Sequence, residues 1–259
     1  MTPDQQRRYI RQTMLADVGE EGQARLAATR VLVVGAGGLG SAVIPYLAAA
    51  GIGHLGIIDG DRVELSNLAR QVIHETGDIG RLKVESSRDR IGEINPDCDV
   101  AIYPYPLTAA NAAAVLGAAV ASHPPSPELG YHLVADGCDN FATRFVVNRA
   151  CLAQRVPLVS AAIAGWDGQV MTIAPHLAPG TACYQCMVHP EAPEANTCRE
   201  SGVIGPLAGV IGSMQALEVI RVALGIPALI GKLAIYDGRT GAQRIVAVPR
   251  DAACAACGT

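Results

Sequence analysis

Short apolar runs recur along the first 160 residues, and segments with helical spacing of apolar residues separate them. Val31 to Val34 is a continuous run of Val and Leu, as a buried parallel strand requires. Similar runs follow at Leu55 to Ile58, Val100 to Tyr103, His132 to Ala135 and Pro157 to Ala161. This alternation predicts a Rossmann-like α/β fold, with a mostly parallel sheet flanked by helices. One of these helices is predicted over Leu107 to Ala119, before a proline-rich surface loop at Ser122 to Gly130.

The pattern changes after residue 162. Antiparallel strands are predicted at Gln169 to Ala174, Lys232 to Tyr236 and Gln243 to Val248. A long apolar helix is predicted between them, from about Leu207 to Leu224. We therefore expect a single domain over residues 1–259, in which an α/β half (1–162) precedes an antiparallel half (163–259).

A glycine-rich turn lies between the first strand and its helix. Its sequence, Gly35-Ala36-Gly37-Gly38-Leu39-Gly40, has the GxGxxG pattern. The glycines allow a tight turn and let a phosphate approach backbone N–H groups at a helix N-terminus. Asp59 ends the next strand, where an acidic residue binds ribose hydroxyls. Taken alone, the pattern is most typical of NAD or FAD proteins, and a tight turn without a ligand is the alternative.

Charged and polar residues after the other strands argue against a dehydrogenase. Asn67 and Arg70 lie in the segment LSNLARQ, Lys83 lies near the start of the helix predicted from about Ile79 to Ile94, and Asp139 follows a later strand. Cations beside an acidic residue suit a triphosphate with Mg²⁺ better than a nicotinamide. The alternative, that each charge is a separate solvated surface group, leaves their shared position after strand ends unexplained.

Four of the eight cysteines form two CxxC pairs, Cys183 with Cys186 and Cys254 with Cys257. Two such pairs supply four thiolates, which suits a tetrahedral zinc ion without an open coordination position. The predicted zinc is therefore structural and would clip the C-terminal tail. A redox-active CxxC is the alternative. The six histidines show no ligand spacing, and we assign them no role.

Composition excludes several classes of partner. The net charge of −4 gives no basic surface for nucleic acids or acidic membranes. Residues 1–11 are polar, with no apolar segment of a signal peptide behind them. The longest apolar runs, such as Ala42 to Ala50, are too short to span a bilayer. We expect a soluble, cytoplasmic protein that binds neither nucleic acid nor membrane.

Together these motifs resemble the ThiF/MoeB/HesA family, the bacterial relatives of ubiquitin-activating (E1) enzymes. The resemblance covers nearly the whole chain and is carried by RYIRQ, VGAGGLGS, LSNLARQ, GRLK, DGCDN, CYQC, CRESGVIGP and CAAC. Pro206 to Gly225, Tyr236 to Gly238 and the short Pro190-to-Thr197 loop are slightly more similar to ThiF than to MoeB. The resemblance implies one E1-like adenylation domain, with its nucleotide-binding part in the first half.

The implied activity is that of an adenylyltransferase that uses ATP and Mg²⁺. It would activate the C-terminal glycine of a small ubiquitin-like sulfur carrier protein, of ThiS or MoaD type, as an acyl adenylate and release pyrophosphate. The expected pathway is thiamine thiazole biosynthesis, with molybdopterin-synthase adenylyltransferase as the alternative and an NAD-dependent oxidoreductase as a remote one. A non-catalytic module that holds a ubiquitin-like partner is a further alternative. The resemblance also implies a homodimer, and since no rhodanese-like segment follows Gly258, we expect a separate sulfur donor protein.

The resemblance assigns a role to individual residues. Gly35, Gly37, Gly38 and Gly40 would form the nucleotide loop, Asp59 would bind ribose, Asn67, Arg70 and Lys83 would bind phosphates, Asp139 would hold Mg²⁺, and Arg11 would reach the γ-phosphate from the other subunit. Cys198 matches a family position that can bond covalently to the sulfur carrier, and Arg199 would favour its thiolate. The alternative for Cys198 is a cysteine without catalytic duty, as in MoeB-type relatives.

Overall fold

The computed structural model of the protein describes residues 1–117, 130–189 and 202–258. The strands are β1 (Arg30–Val34), β2 (His54–Ile58), β3 (Asp99–Tyr103), β4 (Leu133–Asp136), β5 (Leu158–Ala164), β6 (Asp167–Ile173), β7 (Lys232–Asp237) and β8 (Gln243–Ala247). The helices of the described residues are α1 (Pro3–Thr13), α2 (Gly19–Ala28), α3 (Gly40–Ala50), α4 (Lys83–Ile94), α5 (Ala112–Leu116), α6 (Phe141–Gln154), α7 (Tyr184–Met187) and α8 (Gly205–Leu224).

All eight strands form one sheet, in the order β3-β2-β1-β4-β5-β6-β7-β8. Strands β1 to β5 are parallel, whereas β6, β7 and β8 each pair antiparallel with the preceding strand. The predicted fold class, a mostly parallel sheet with an antiparallel C-terminal extension, is confirmed. Residue 162 lies inside β5, so the change at this point is one of strand direction within a continuous sheet.

The topology creates a crevice at the carboxyl end of β1. This strand lies between β2 and β4, and its last residue, Val34, is in register with Ile58 of β2 and Asp136 of β4. In open α/β sheets, ligands bind where the strand order reverses in this way. The glycine loop, Asp59 and the segment 137–140 each follow one of these strands, so the fold brings them to one place.

Helix α8 is a core helix. It packs against α3 and against strands β4, β5 and β6. Among the described residues it alone is long and apolar enough to cross a membrane, although half of its most apolar window is buried in the fold, as in core helices of soluble proteins. It is the long helix predicted from about Leu207 to Leu224, and it begins two residues earlier, at Gly205. Inside it, the buried carboxylate of Glu218 accepts hydrogen bonds from the Thr172 hydroxyl and the Leu229 backbone N–H.

Two predicted helices have other bounds. The helix expected from Ile79 begins at Lys83, because Leu82 forms an antiparallel bridge with Arg62 that keeps the backbone extended. Of the helix expected over 107–119, the described residues form α5, and a turn precedes it in which Asn111 Oδ1 accepts from the Thr108 N–H. The expected proline-rich loop at 122–130 lies outside the described residues except for its last position.

Candidate active site

The glycine loop makes a tight turn from β1 into α3. Gly35 has φ of 94°, in the left-handed region that favours glycine. A Cβ at Gly40 would lie 2.2 Å from the carbonyl oxygen of Gly35, so a side chain is excluded there. Asp59 holds the loop from the neighbouring strand, because its Oδ2 accepts from the Ala36 N–H at 2.8 Å. The geometry of the turn itself therefore requires glycine at positions 35 and 40.

The part of the loop nearest the helix offers unused donors. Within the described parts of the chain, the N–H groups of Gly37, Gly38 and Leu39 donate to no acceptor. They stand at the N-terminus of α3, where the aligned peptide dipoles favour an anion. The loop is therefore suited to hold phosphate oxygens.

A cavity of about 1110 Å³ opens at the carboxyl ends of β1, β2 and β4. Predicted site residues that line it are Gly35, Gly37, Gly38, Asp59, Asn67, Arg70, Lys83 and Asp139. The cavity exceeds the range of roughly 300–1,000 Å³ usual for small-molecule pockets, so it has room for a nucleotide and a second ligand. Leu39, Lys83 and Asn140, at the N-termini of α3, α4 and α6, also line it, so the positive ends of three helix dipoles lie at its wall.

Positive side chains are fixed around this cavity. Lys83 is buried at the start of α4, and its ammonium donates to Asp61 Oδ2 at 3.0 Å. Arg70 is fixed by one bond from Nη1 to the Ser66 carbonyl at 3.0 Å, and Arg70 also lines the cavity. The buried Asn67 accepts from the Glu64 N–H through Oδ1.

The Asp59 carboxyl is held by two backbone N–H groups and has a raised pKa. Burial raises its pKa, while the ammonium of Lys83 and the backbone N–H groups of Asp61 and Ala36 act in the opposite direction. Its two oxygens accept from these two N–H groups at 2.8 Å each. The carboxylate is thus oriented before any ligand enters, and its remaining lone pairs can accept from hydroxyl groups.

Arg144 lines the same cavity, and sequence reasoning missed it. Its buried guanidinium lies 3.5 Å from Asp136 Oδ2 and donates to Ser160 Oγ and to the carbonyl of Cys138. It thereby ties the segment 137–140 to strands β4 and β5. The one signal in the sequence is its position a helical turn after Asn140, which caps α6.

Arg11 does not line this cavity. Helix α1 is held near the C-terminal ends of α3 and α4, where Asn95 Nδ2 donates to Tyr9 Oη and Gln12 Nε2 donates to the Ala50 carbonyl. Because α3 has 11 residues, this end lies about 16 Å from the glycine loop. One arginine side chain does not span that distance, so within one chain Arg11 and the nucleotide loop are apart.

The four cysteines of the two CxxC pairs come together. Their Sγ atoms all lie within 4.8 Å of one another, with 3.7 Å between Cys183 and Cys254 and 3.4 Å between Cys186 and Cys257. A tetrahedron with metal–sulfur bonds of about 2.3 Å has edges of about 3.8 Å. The cluster therefore fits one metal ion and would join the C-terminal tail to α7. Cys198 and Arg199 lie outside the described residues.

Fold and site together define a nucleotide-binding protein of the E1 type, and comparison with known families agrees. The family model described as "ThiF family" matches residues 9–256. The chain belongs to the ThiF family, which confirms the resemblance found in its motifs.

Curated relatives share about two fifths of the residues. The chain is 39% identical over 251 residues to "Sulfur carrier protein ThiS adenylyltransferase" of Escherichia coli (strain K12), covering 97% of this chain and 94% of the relative. It is 42% identical over 265 residues to "Sulfur carrier protein adenylyltransferase" of Thermus thermophilus, covering 99% and 92%. It is 40% identical to "Adenylyltransferase and sulfurtransferase MOCS3" of Caenorhabditis briggsae, covering 97% of this chain but only 60% of that relative. Against another MOCS3 relative, from Zea mays, the chain spans 48% of its length.

Solved structures share the fold. A crystal structure of Escherichia coli MccB with MccA-N7isoASN superposes with a TM-score of 0.81 at 20% identity, over 98% of this chain and 75% of that one. Selenomethionine PaaA gives a TM-score of 0.78 at 21% identity, over 97% and 76%. At this level of identity the likeness concerns the architecture alone.

Proposed function

We propose that this protein adenylates the C-terminal glycine of a small ubiquitin-like sulfur carrier protein, with ATP as the second substrate. One observation carries the proposal: a single cavity combines glycine-loop N–H groups that have no acceptor in the described residues, the oriented Asp59 carboxylate and the cations Arg70 and Lys83. The names of the two relatives that this chain covers over more than nine tenths of their length support the same activity.

The chemistry needs positioning and charge neutralisation rather than a general base. A C-terminal carboxylate is already ionised at neutral pH, since its pKa lies near 3.5. One of its oxygens attacks the α-phosphorus of ATP, an acyl–phosphate anhydride forms, and the bond from the α-phosphorus to the bridging oxygen breaks as pyrophosphate leaves. The obstacle is repulsion between the two anions, and a buried ammonium and a guanidinium in a low-dielectric cavity reduce it.

Each residue has a place in this step. The N–H groups of Gly37 and Gly38 would hold phosphate oxygens, and Asp59 would accept from the ribose hydroxyls. Asn67, Arg70 and Lys83 would bind the phosphates. Gly38 would let the nucleotide and the carrier tail approach the loop.

Asp139 is the proposed ligand of Mg²⁺. It lies at the cavity after β4, beside Asn140, and carboxylate and amide oxygens are the hard ligands that this ion prefers. When bound, the ion neutralises charge on the phosphates and on the leaving pyrophosphate.

The carrier and the pathway follow from the relatives rather than from the cavity. We propose a ThiS-type carrier and sulfur transfer in thiamine thiazole biosynthesis, because a relative with this name matches the chain almost end to end. A MoaD-type carrier and the molybdopterin pathway form the alternative, since identity to the MOCS3 relatives is equally high.

We also propose that the cysteine cluster binds zinc with a structural role, because four thiolates fill a tetrahedral shell. Cysteines grouped as metal ligands are more typical of proteins in reducing compartments, which supports a cytoplasmic location. The position of Arg11 far from its own chain's cavity supports a homodimer in which it enters the partner's site.

ATP–pyrophosphate exchange tests the proposal. We expect exchange that requires Mg²⁺ and a carrier ending in Gly-Gly, and its loss in Asp139→Ala. The matched control is Asp99→Ala, which should retain exchange. Asp99 begins β3 and so lies at the amino end of the parallel strands, away from the cavity at their carboxyl ends. ThiS-type and MoaD-type carriers, compared at equal concentration, decide between the pathways. Absence of carrier-dependent exchange with either type would refute the activity.

A further inference from the structure

The buried side chain of His74 contacts the glycine loop from behind. Its Nε2 lies 3.0 Å from the carbonyl oxygen of Ala36, and only 6% of the residue is exposed. The N–H of the same Ala36 is bound by Asp59. Both backbone groups of this one loop residue are therefore held by side chains from outside the loop.

A chain of polar contacts holds the imidazole in place. Its Nδ1 lies 2.7 Å from Ser86 Oγ of α4, and this oxygen lies 2.7 Å from Asp78 Oδ2. Asp78 in turn accepts from Arg81 Nη1 at 2.6 Å. Because a carbonyl oxygen only accepts, Nε2 carries the hydrogen in its contact with Ala36.

The contact controls the direction of a neighbouring donor. In a planar trans peptide the carbonyl of Ala36 and the N–H of Gly37 point in opposite directions. His74 holds the carbonyl toward the protein interior, whereas Gly37 lines the cavity. The N–H of Gly37 therefore faces away from the imidazole, on the cavity side, and has no acceptor in the described residues.

We propose that His74 is a positioning residue for phosphate binding: by donating to the Ala36 carbonyl it fixes the peptide that presents the Gly37 N–H to ATP. The inference rests on the proposed function for the identity of the ligand. His74 also links two parts of the site. It follows Asn67 and Arg70 in the segment between β2 and α4, and its backbone N–H donates to the Gln71 carbonyl. The segment with the phosphate-binding side chains and the loop with the phosphate-binding N–H groups are thus coupled through one ring.

Two substitutions distinguish the effect of losing the Nε2 donor from the effect of losing the imidazole ring. Glutamine places an amide N–H near the position of Nε2, whereas asparagine reproduces only the Nδ1 side and leaves the Ala36 carbonyl without a donor. The dissociation constant of Mg·ATP is measured by calorimetry with the full-length protein and no carrier. His74→Asn should weaken binding roughly ten-fold, because the Ala36–Gly37 peptide is then no longer held in place and must be ordered when the phosphate binds, and His74→Gln should stay within about three-fold of the parent. His54 begins β2, whereas the cavity lies at the carboxyl end of that strand. His54→Asn is therefore the matched control and should bind Mg·ATP like the parent.

The outcomes are distinct. Normal Mg·ATP affinity in folded His74→Asn, or equal weakening in both variants, would overturn the positioning role. If His74→Asn fails to fold, Ser86→Ala keeps the ring but removes its support, and unchanged affinity in that variant would also overturn the proposal. Because this assay uses no carrier, it stands apart from the exchange assay: a parent protein that binds ATP but shows no carrier-dependent exchange would refute the adenylation, not the role of His74.

Discussion

The ammonium of Lys83 lies 3.0 Å from Asp61 Oδ2 at the wall of the cavity, with 6% of the lysine side chain exposed and 53% of the aspartate side chain exposed. The cation is thus shielded from water while its partner remains at the surface. Since an ammonium has three donors, Lys83 can contact a phosphate without leaving Asp61. The pair places a positive charge beside the glycine loop in advance of ligand binding.

Substitution of Lys83 should therefore act on the reaction itself. Lys83→Met keeps the aliphatic stem but removes the charge, and we expect kcat/KM for pyrophosphate exchange to fall by about 10²-fold or more. The chain has one other lysine, Lys232, which is exposed on β7. Lys232→Met should leave exchange unchanged. Equal activities of the two variants would remove Lys83 from the phosphate site.

Arg11 should act across a subunit boundary. Arg11→Ala and Asp139→Ala homodimers should each be inactive, because each lacks one component of every site. After mixing and subunit exchange, hybrid dimers contain one intact site, and partial exchange activity should return. Subunit exchange is verified with tagged chains. No recovery in proven hybrids would show that Arg11 does not serve the partner's site.

The cysteine cluster should contain one zinc ion per chain, measured by elemental analysis of freshly purified protein. Cys254→Ser should lose the metal and loosen the tail from Ala252 onward, because the binding of a structural zinc contributes on the order of 10 kcal/mol. Cys98→Ala, a cysteine outside the cluster, should retain the metal. A parent protein purified without zinc would contradict the assignment.

Cys198 should matter only after adenylation, since that step involves oxygen and phosphorus alone. Cys198→Ala should show nearly normal pyrophosphate exchange. If the carrier is of ThiS type, the same variant should be impaired in sulfur transfer in the reconstituted pathway, through loss of a thiolate that can trap the carrier. If the carrier is of MoaD type, both steps should survive. Loss of exchange in folded, zinc-loaded Cys198→Ala would contradict this prediction and show that Cys198 is needed for adenylation itself.

Stability should fall in weak acid, partly through His74. Burial lowers the pKa of this imidazole, with Lys83 acting in the same direction and the Ala36 carbonyl, Asp78 and Asp59 opposing it. The unfolded chain then takes up a proton first as the pH falls below about 6.5, so the stabilisation is complete above that pH and declines below it.

Urea denaturation of the parent and of His74→Gln measures this contribution. We expect the free energy of unfolding to drop less between about pH 7.5 and about pH 5.5 in the variant than in the parent. Burial also lowers the pKa of His132 and of His176, which are present in both proteins. An identical drop in parent and variant would assign the acid sensitivity to those two residues instead.

The sequence by itself determined the features that depend on local chain chemistry. Only glycine tolerates the backbone at Gly35 and the close approach at Gly40, so the loop was readable from residue type. Apolar runs of four or five residues are typical of buried strands, and the two CxxC spacings predicted a shared metal site. The edge of the sheet that carries Asp59, Asn67 and Asp139 followed from the same pattern, since parallel strands end on one side.

Only the tertiary structure decided which distant side chains support that loop. His74 and Ala36 are 38 positions apart, and no periodicity relates them, so the contact depends on how the segment between β2 and α4 folds back onto the glycine loop. Arg144 likewise meets Ser160 and Asp136 only after β4 and β5 have paired. Long-range polar contacts of this kind are selected by geometry and burial rather than by local sequence, and they complete the site that the motifs only outline.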